Sequence, residues 1–253
     1  MNRDTDGDGI LDWEEGLYGL DPTKKETVPG VPDNSSINRL KNEQGENEQG
    51  ESLLKINTEN LTETEKFSRE LFATVAATSQ NGVIDQATIE QLGASLSDKI
   101  QNTPPRKIFL VFDIKIINDD SVQSFKNYNG ALNNINKKYP ATNYTILDVL
   151  EKFIADENNV DVSALTKLDP IIEQTNKIIT AMTKTSVPQS ISNLHLNIIN
   201  GLEKLSENLS DIKLYESDAI IALGGISKYQ ENSNQLELDL NNLANTINQK
   251  LKN

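Results

Sequence analysis

Residues 188–212 read PQSISNLHLNIINGLEKLSENLSDI, and their pattern sets the expectation for most of the chain. Large apolar residues recur every three or four positions, almost as a heptad, at Ile191, Leu194, Ile198, Leu202, Leu205, Leu209 and Ile212. This spacing places one apolar stripe along a single helical face, while the remaining positions are polar. We therefore predict an amphipathic helix that opens at Pro188 and buries its stripe against other helices.

The same spacing recurs on both sides of this stretch. A Thr-x-x-Glu capping box at Thr62 to Glu65 predicts a helix start. Further helices are predicted over residues 85–101, from Asp119 and Asp120 to Tyr139, and over 145–157, 162–184 and 218–251. Short turns separate these stripes, and several helices are long. The fold class expected from them is all-α, with an elongated antiparallel helical bundle over residues 61–253.

One segment departs from the helical period. Residues 108–117, IFLVFDIKII, are rich in β-branched and aromatic side chains, as strands are. The sequence shows no clear partner strand, and a lone strand is not stable by itself. We expect an extended segment laid along the helices, or the edge of a very small sheet.

The net charge of -14 is concentrated near the start of the chain. Residues 1–66 hold 16 Asp and Glu against 7 Lys and Arg. Within this part, residues 28–60 are dense in Pro, Gly, Asn, Gln and Glu and show no apolar period. Such a segment buries too little surface to offset the entropy lost on ordering. We predict a flexible acidic linker over residues 28–60.

The composition excludes several functions. An acidic chain lacks the basic face that non-specific nucleic-acid binding needs, so no nucleic-acid partner is expected. The chain has no cysteine and only 1 histidine, which removes disulfides, thiolate nucleophiles, iron–sulfur clusters and two-histidine metal sites. No hydrolase, metalloprotease, P-loop or dinucleotide-binding motif is present. His195 fits a packing histidine better than a catalytic one, and we predict a protein that is not an enzyme.

The strongest motif is DTDGDGILDWEE at residues 4–15. It matches the twelve-residue EF-hand loop, in which calcium takes six to eight oxygen ligands from alternating positions. Gly9 falls where the loop turns sharply. The predicted calcium ligands are the side chains of Asp4, Asp6, Asp8, Asp12 and Glu15 and the backbone carbonyl of Ile10. A disordered acidic tail is the alternative explanation of this run.

The longer run DTDGDGILDWEEGLYGLDPTKKET resembles one unit of the bacterial thrombospondin type 3-like, or dockerin-like, calcium-binding repeat. The resemblance covers residues 3–27. It implies a short helix from Trp13 to Tyr18 after the loop, a Gly-x-Asp-Pro turn at residues 19–22, and bound Ca²⁺. It also implies an exported protein, because such repeats are common on bacterial surface proteins.

Together these patterns predict three parts: a calcium-binding repeat at 1–27, a linker at 28–60 and a helical bundle domain at 61–253. The function expected is a non-enzymatic calcium-binding protein, extracellular, on the cell surface or in the periplasm. Its bundle would bind a protein partner or join an envelope assembly. We expect the full protein to carry a signal or membrane anchor that this chain lacks. The alternative is a ligand- or glycan-binding helical module of the cell envelope.

Overall fold

The structure, a computed structural model, describes residues 4–10, 15, 20–37, 61–79, 86–102, 104–155 and 160–252. The described chain is mostly helical, which confirms the helical class predicted from the sequence. The contacts divide the chain into two units, Met1–Ser97 and Asp98–Asn253, whereas the sequence predicted boundaries after residues 27 and 60. Residues 38–60 of the predicted linker lie outside the described residues. So does the predicted helix Trp13–Tyr18, except for Glu15, which is helical.

The first unit contains α1 (Glu63–Ser79) and the greater part of α2 (Gln86–Gln101). The predicted capping box starts α1: Glu65 N donates to Thr62 Oγ1 at 3.1 Å, and Thr62 N donates to a Glu65 carboxylate oxygen at 2.7 Å. These bonds satisfy backbone donors that a helix start leaves without intrahelical partners.

A small core in this unit gathers the apolar residues around the acidic loop. Ile10, Leu20 and Ile37 are buried together, and Phe72 of α1 packs against them. Residues 28–37, assigned to the linker from the sequence, form a tight turn bridged between Val28 and Val31 and then a helical turn over 33–37. This part of the segment therefore folds with the acidic loop.

The second unit holds the remaining helices and a two-stranded sheet. In chain order they are β1 (Lys115–Ile117), α3 (Val122–Lys138), α4 (Ile146–Phe153), α5 (Leu168–Thr183), β2 (Ser186–Pro188), α6 (Ser192–Ile212) and α7 (Ala219–Lys252). Short 3₁₀ turns lie at Val111–Asp113, Val162–Lys167 and Gln189–Ile191. The strands pair in parallel, with Lys115 opposite Ser186 and Ile117 opposite Pro188. The edge of a very small sheet was one of two structures expected for residues 108–117, and it forms at 115–117.

Three helix starts differ from the sequence prediction. The helix predicted over 162–184 is a 3₁₀ turn at Val162–Lys167 followed by α5, which begins at Leu168. Ser121 caps α3 by accepting a hydrogen bond from Ser124 N at 3.2 Å, so Asp119 and Asp120 are not its caps. Pro188 ends β2 and is the N-cap of the 3₁₀ turn Gln189–Ile191, so the α-helical part, α6, begins only at Ser192. At α3 the predicted residue Asp120 is used in a tertiary contact with Ser190, whereas at α6 the N-cap residue Ile191 makes no side-chain capping hydrogen bond.

The stripe read from residues 188–212 faces the core. Ile191, Ile198, Leu209 and Ile212 are almost completely buried. Gly201 lies against Leu236 and Gly225 against the backbone of Asn208, so α6 and α7 run antiparallel. A Cβ added at Gly225 would lie 2.6 Å from Asn208 O. Glycine is required there because the two helix backbones approach too closely for any side chain.

Candidate metal centre

The acidic loop at residues 4–10 has the turn geometry that its sequence predicts. Gly7 and Gly9 adopt φ angles of 71° and 91°, in the left-handed region where glycine is favoured. Gly7 N and Gly9 N donate to the two Asp4 carboxylate oxygens at 2.7 and 3.1 Å. Asp8 N donates to Asp6 Oδ1 at 3.1 Å. These bonds point the backbone donors at the carboxylates and fold the chain around a small space.

Three carboxylates converge on the first half of this loop. Oxygen atoms of Asp4, Asp6 and Asp8 lie within 4.8 Å of one another. Burial raises the pKa of Asp6, and the neighbouring Asp8 and Asp4 charges raise it further. Asp6 Oδ2 is buried and accepts no hydrogen bond from the described residues. A cation between these groups would relieve their mutual repulsion and complete the contacts of that oxygen.

A second trio shares Asp8 with the first. Oxygen atoms of Asp8, Glu15 and Asp33 lie within 4.8 Å of one another, and Glu15 and Asp33 are completely buried. Buried carboxylates are rare unless an opposite charge or a metal compensates them. The structure therefore brings together four of the six predicted ligands, Asp4, Asp6, Asp8 and Glu15, and adds Asp33.

Sequence reasoning missed Asp33 because it placed residues 28–60 in a flexible linker. Asp33 is fixed by the residues that precede it: Thr27 N and Thr27 Oγ1 both donate to its carboxylate at 2.8 Å. Thr27 Oγ1 also accepts from Asp21 N at 2.6 Å. The tight turn between Val28 and Val31 returns the chain toward the loop. The VPGVPD run was the only available signal, since its Pro and Gly residues predict a turn followed by an acid.

The structure gives less information on the two remaining predicted ligands, Asp12 and Ile10. Asp12 lies outside the described residues. Ile10 was predicted to bind through its backbone carbonyl. The structure gives it a buried side chain, and its N–H donates to Asp8 Oδ1 at 2.9 Å. Lys25 is also part of this region, because its Nζ donates to Gly7 O at 3.0 Å. Its charge acts to lower the pKa of Asp6, although burial and the two neighbouring aspartates raise it more.

The donor set fits a hard, divalent cation. Every candidate donor is an oxygen atom, and the chain offers no cysteine. Oxygen atoms that share one calcium ion at about 2.3–2.6 Å lie no more than roughly 4.6–5.2 Å apart. The oxygen atoms of each trio lie within 4.8 Å of one another, so each trio is compact enough to share one ion. Asp4, Asp6, Asp8, Glu15 and Asp33 would hold the ion, and the ion would supply positive charge that stabilises the loop.

Three titratable residues outside the acidic loop, Asp119, Asp120 and His195, have structural contacts. Asp119 accepts from Ser121 N at 2.9 Å. Asp120 accepts from Ser190 N and Oγ at 3.0 and 2.8 Å, and these bonds lower its pKa. His195 is completely buried, where its Nδ1 lies 2.8 Å from Tyr128 Oη and its Nε2 lies 3.1 Å from Met182 O. Since a carbonyl only accepts, Nε2 carries the proton and Tyr128 donates to Nδ1.

Comparison with known proteins yields no match among protein-family profiles, curated proteins or solved structures. Among the helices of the described residues, none combines the length and the apolarity that crossing a membrane requires.

Proposed function

We propose that this chain is a non-enzymatic calcium-binding protein that is exported, on the cell surface or in the periplasm. The proposed organisation is an EF-hand-like calcium loop with residues 28–37 folded beside it, then a flexible linker and an elongated antiparallel helical bundle that mediates protein–protein interaction or assembly. The single observation that carries the proposal is the pair of carboxylate trios that share Asp8. Residues as far apart in sequence as Asp4 and Asp33 contribute to this region.

Electrostatics support the calcium-binding part. The three carboxylates of each trio lie at short range and repel one another, and two of the five residues, Glu15 and Asp33, are removed from water. Among the described contacts, the positive charge at the loop comes from Lys25, whose amine donates a hydrogen bond to a backbone carbonyl of the loop. One bound calcium ion would offset two of the negative charges and offer a coordination number that carboxylates can fill.

The proposed location and partners rest on other features. The resemblance of residues 3–27 to thrombospondin type 3-like repeats supports export, since extracellular calcium concentrations can fill such sites. The bundle carries large apolar side chains at its surface, including Phe112 at 81% exposure, and these support a protein partner. The structural contacts of His195 and Asp120 support a role without catalysis.

Calorimetric titration with CaCl₂ tests the calcium-binding part. The intact chain should bind one equivalent, and Asp8→Asn should weaken binding at least tenfold because Asp8 belongs to both trios. Glu173→Gln is the matched control: it removes the same charge from an exposed pair with Lys177 and should leave the titration unchanged. Identical titrations for Asp8→Asn and the intact chain would remove the calcium proposal.

A second candidate function is favoured by one observation. A groove of about 440 Å³ lies between α3, α5, α6 and α7. Its lining is apolar, with Leu132, Met182, Leu202 and Leu243 among its residues, and asparagines such as Asn133 add amide groups. This volume suits a small uncharged ligand. The groove therefore supports the alternative function, a ligand-binding helical module of the cell envelope. A thermal-shift screen of neutral amphiphiles and glycans against Leu202→Gln would separate this function from the first.

A further inference from the structure

Residues 106–113 form a surface segment of the second unit, and several of their apolar side chains are exposed. Ile108, Leu110, Val111 and Phe112 are exposed by 56, 48, 54 and 81%. We call these four side chains the apolar ridge. The neighbouring Phe109 and Ile114 point the other way and are buried in the core. An exposed segment normally places polar residues outward, so an apolar outer face needs a functional reason.

The apolar ridge is held in place by hydrogen bonds from α6. Phe109 N donates to Asn200 Oδ1 at 2.7 Å, and Asn200 Nδ2 donates to Phe109 O at 3.0 Å. Lys107 N donates to a Glu207 carboxylate oxygen at 2.8 Å. At the other end, Leu110 N donates to Asp113 Oδ2 at 2.7 Å. The ridge is therefore fixed before any partner arrives, which lowers the entropy lost on binding.

We infer that the apolar ridge is the contact surface of a homodimer, with a second copy of this chain as its occupant. The inference deepens the assembly role in the proposed function and is independent of calcium binding. Four side chains exposed to this extent present roughly 400 Å² of apolar surface. A small stable interface buries about 1,200 Å² in total, of which close to two-thirds is apolar at the core. Two ridges face to face supply that apolar area.

Charged residues flank the ridge at both ends. Arg106 and Lys107 precede the apolar residues, with side chains exposed by 50 and 57%, and Asp113 follows them. Within the chain, Arg106 pairs with Asp211, and Lys107 Nζ lies 3.8 Å from a Glu203 carboxylate oxygen. A two-fold axis places the basic end of one segment beside the acidic end of its partner.

Sedimentation velocity on the full chain across a concentration series, with and without EDTA, tests this inference. We expect a concentration-dependent dimer in both conditions. Val111→Ser/Phe112→Ser should raise the dissociation constant at least tenfold. The matched control is Leu147→Ser/Ile154→Ser, which alters two apolar residues exposed by 64 and 59% elsewhere on the same unit and should leave the dimer unchanged. Circular dichroism checks that both double variants keep the helical content.

Three outcomes would overturn the inference. The first is a monomeric chain at 200 micromolar concentration or above. The second is equal weakening of the dimer by both double variants. The third is a monomer that floats with phosphatidylcholine vesicles, since a lipid surface would then be the occupant. Calcium titration of the same samples keeps the two proposals separate: a dimer without calcium binding would refute the metal centre alone.

Discussion

Acid should destabilise the helical unit through His195. Burial lowers the pKa of His195 from 6.5 to about 4, although its hydrogen bond to Met182 O acts in the opposite direction. In the unfolded chain the imidazole takes up a proton below about pH 6.5. In the folded chain it stays neutral until about pH 4. The unfolded state therefore binds more protons in this window, and stability is lost as the pH falls through it.

The two pKa values set the size of the effect. Between pH 8 and pH 5 the free energy of unfolding should fall by about 2 kcal/mol from this residue, approaching about 3 kcal/mol near pH 4. Hydrogen bonds lower the pKa of Asp148 and Asp161, so these groups lose their contribution at still lower pH. Burial raises the pKa of Asp211, which opposes the histidine effect. The contribution of His195 must therefore be measured as a difference between variants.

Urea unfolding at pH 8 and pH 5 provides that difference. On acidification from pH 8 to pH 5, the free energy of unfolding of His195→Gln should fall by about 2 kcal/mol less than that of the intact chain, because glutamine does not titrate. Tyr128→Phe is the comparison variant: it removes the phenol that donates to Nδ1, should cost about 1–3 kcal/mol at pH 8, and leaves a ring that still titrates. The chain has 1 histidine, so its imidazole NMR signal reports the pKa directly. A midpoint near 6.5, or equal acid sensitivity of His195→Gln, would refute the reasoning.

Three further predictions concern packing, capping and metal binding. Gly225→Ala should destabilise the second unit by roughly 1–3 kcal/mol in urea unfolding, since its Cβ would meet the Asn208 carbonyl oxygen; an unchanged midpoint would show that the helices can separate there. Thr145→Ala removes the acceptor of the Asp148 N–H bond at the start of α4 and should cost about 1 kcal/mol, whereas Thr145→Ser should cost much less. Asp33→Asn should weaken calcium binding at least tenfold, read from the fluorescence of the single tryptophan; affinity equal to that of the intact chain would exclude Asp33 as a ligand.

The helices could be read from the sequence because their period is local. The apolar stripe of residues 188–212 and the Thr62 capping box each depend on neighbours within one or two turns. The first residues of α3 and α6 were predicted less accurately from the sequence. Asp120 bonds to Ser190, 70 positions away in sequence, and Pro188 belongs to a strand whose partner lies at 115–117. Such long-range contacts override local capping preferences.

The residues of the candidate metal site also differ in whether local sequence or long-range contacts determine their place. Asp4, Asp6, Asp8 and Glu15 follow the spacing of a loop motif and could be assigned from sequence. Asp33 could not, because its place beside Glu15 depends on the turn between Val28 and Val31 and on two hydrogen bonds from Thr27. Tertiary contacts bury this aspartate, and no periodic pattern in the sequence predicts its burial.

The small parallel sheet has a consequence for the order of folding. Its strands lie at 115–117 and 186–188, so their pairing closes a loop of about 70 residues and carries a high loop-closure entropy. The Phe109–Asn200 and Asp120–Ser190 hydrogen bonds join the same distant parts of the chain. We expect the α6–α7 hairpin, whose contacts are close in sequence, to form early and the segment 106–120 to dock late. Refolding would then end with the step that fixes residues 106–120 against α6.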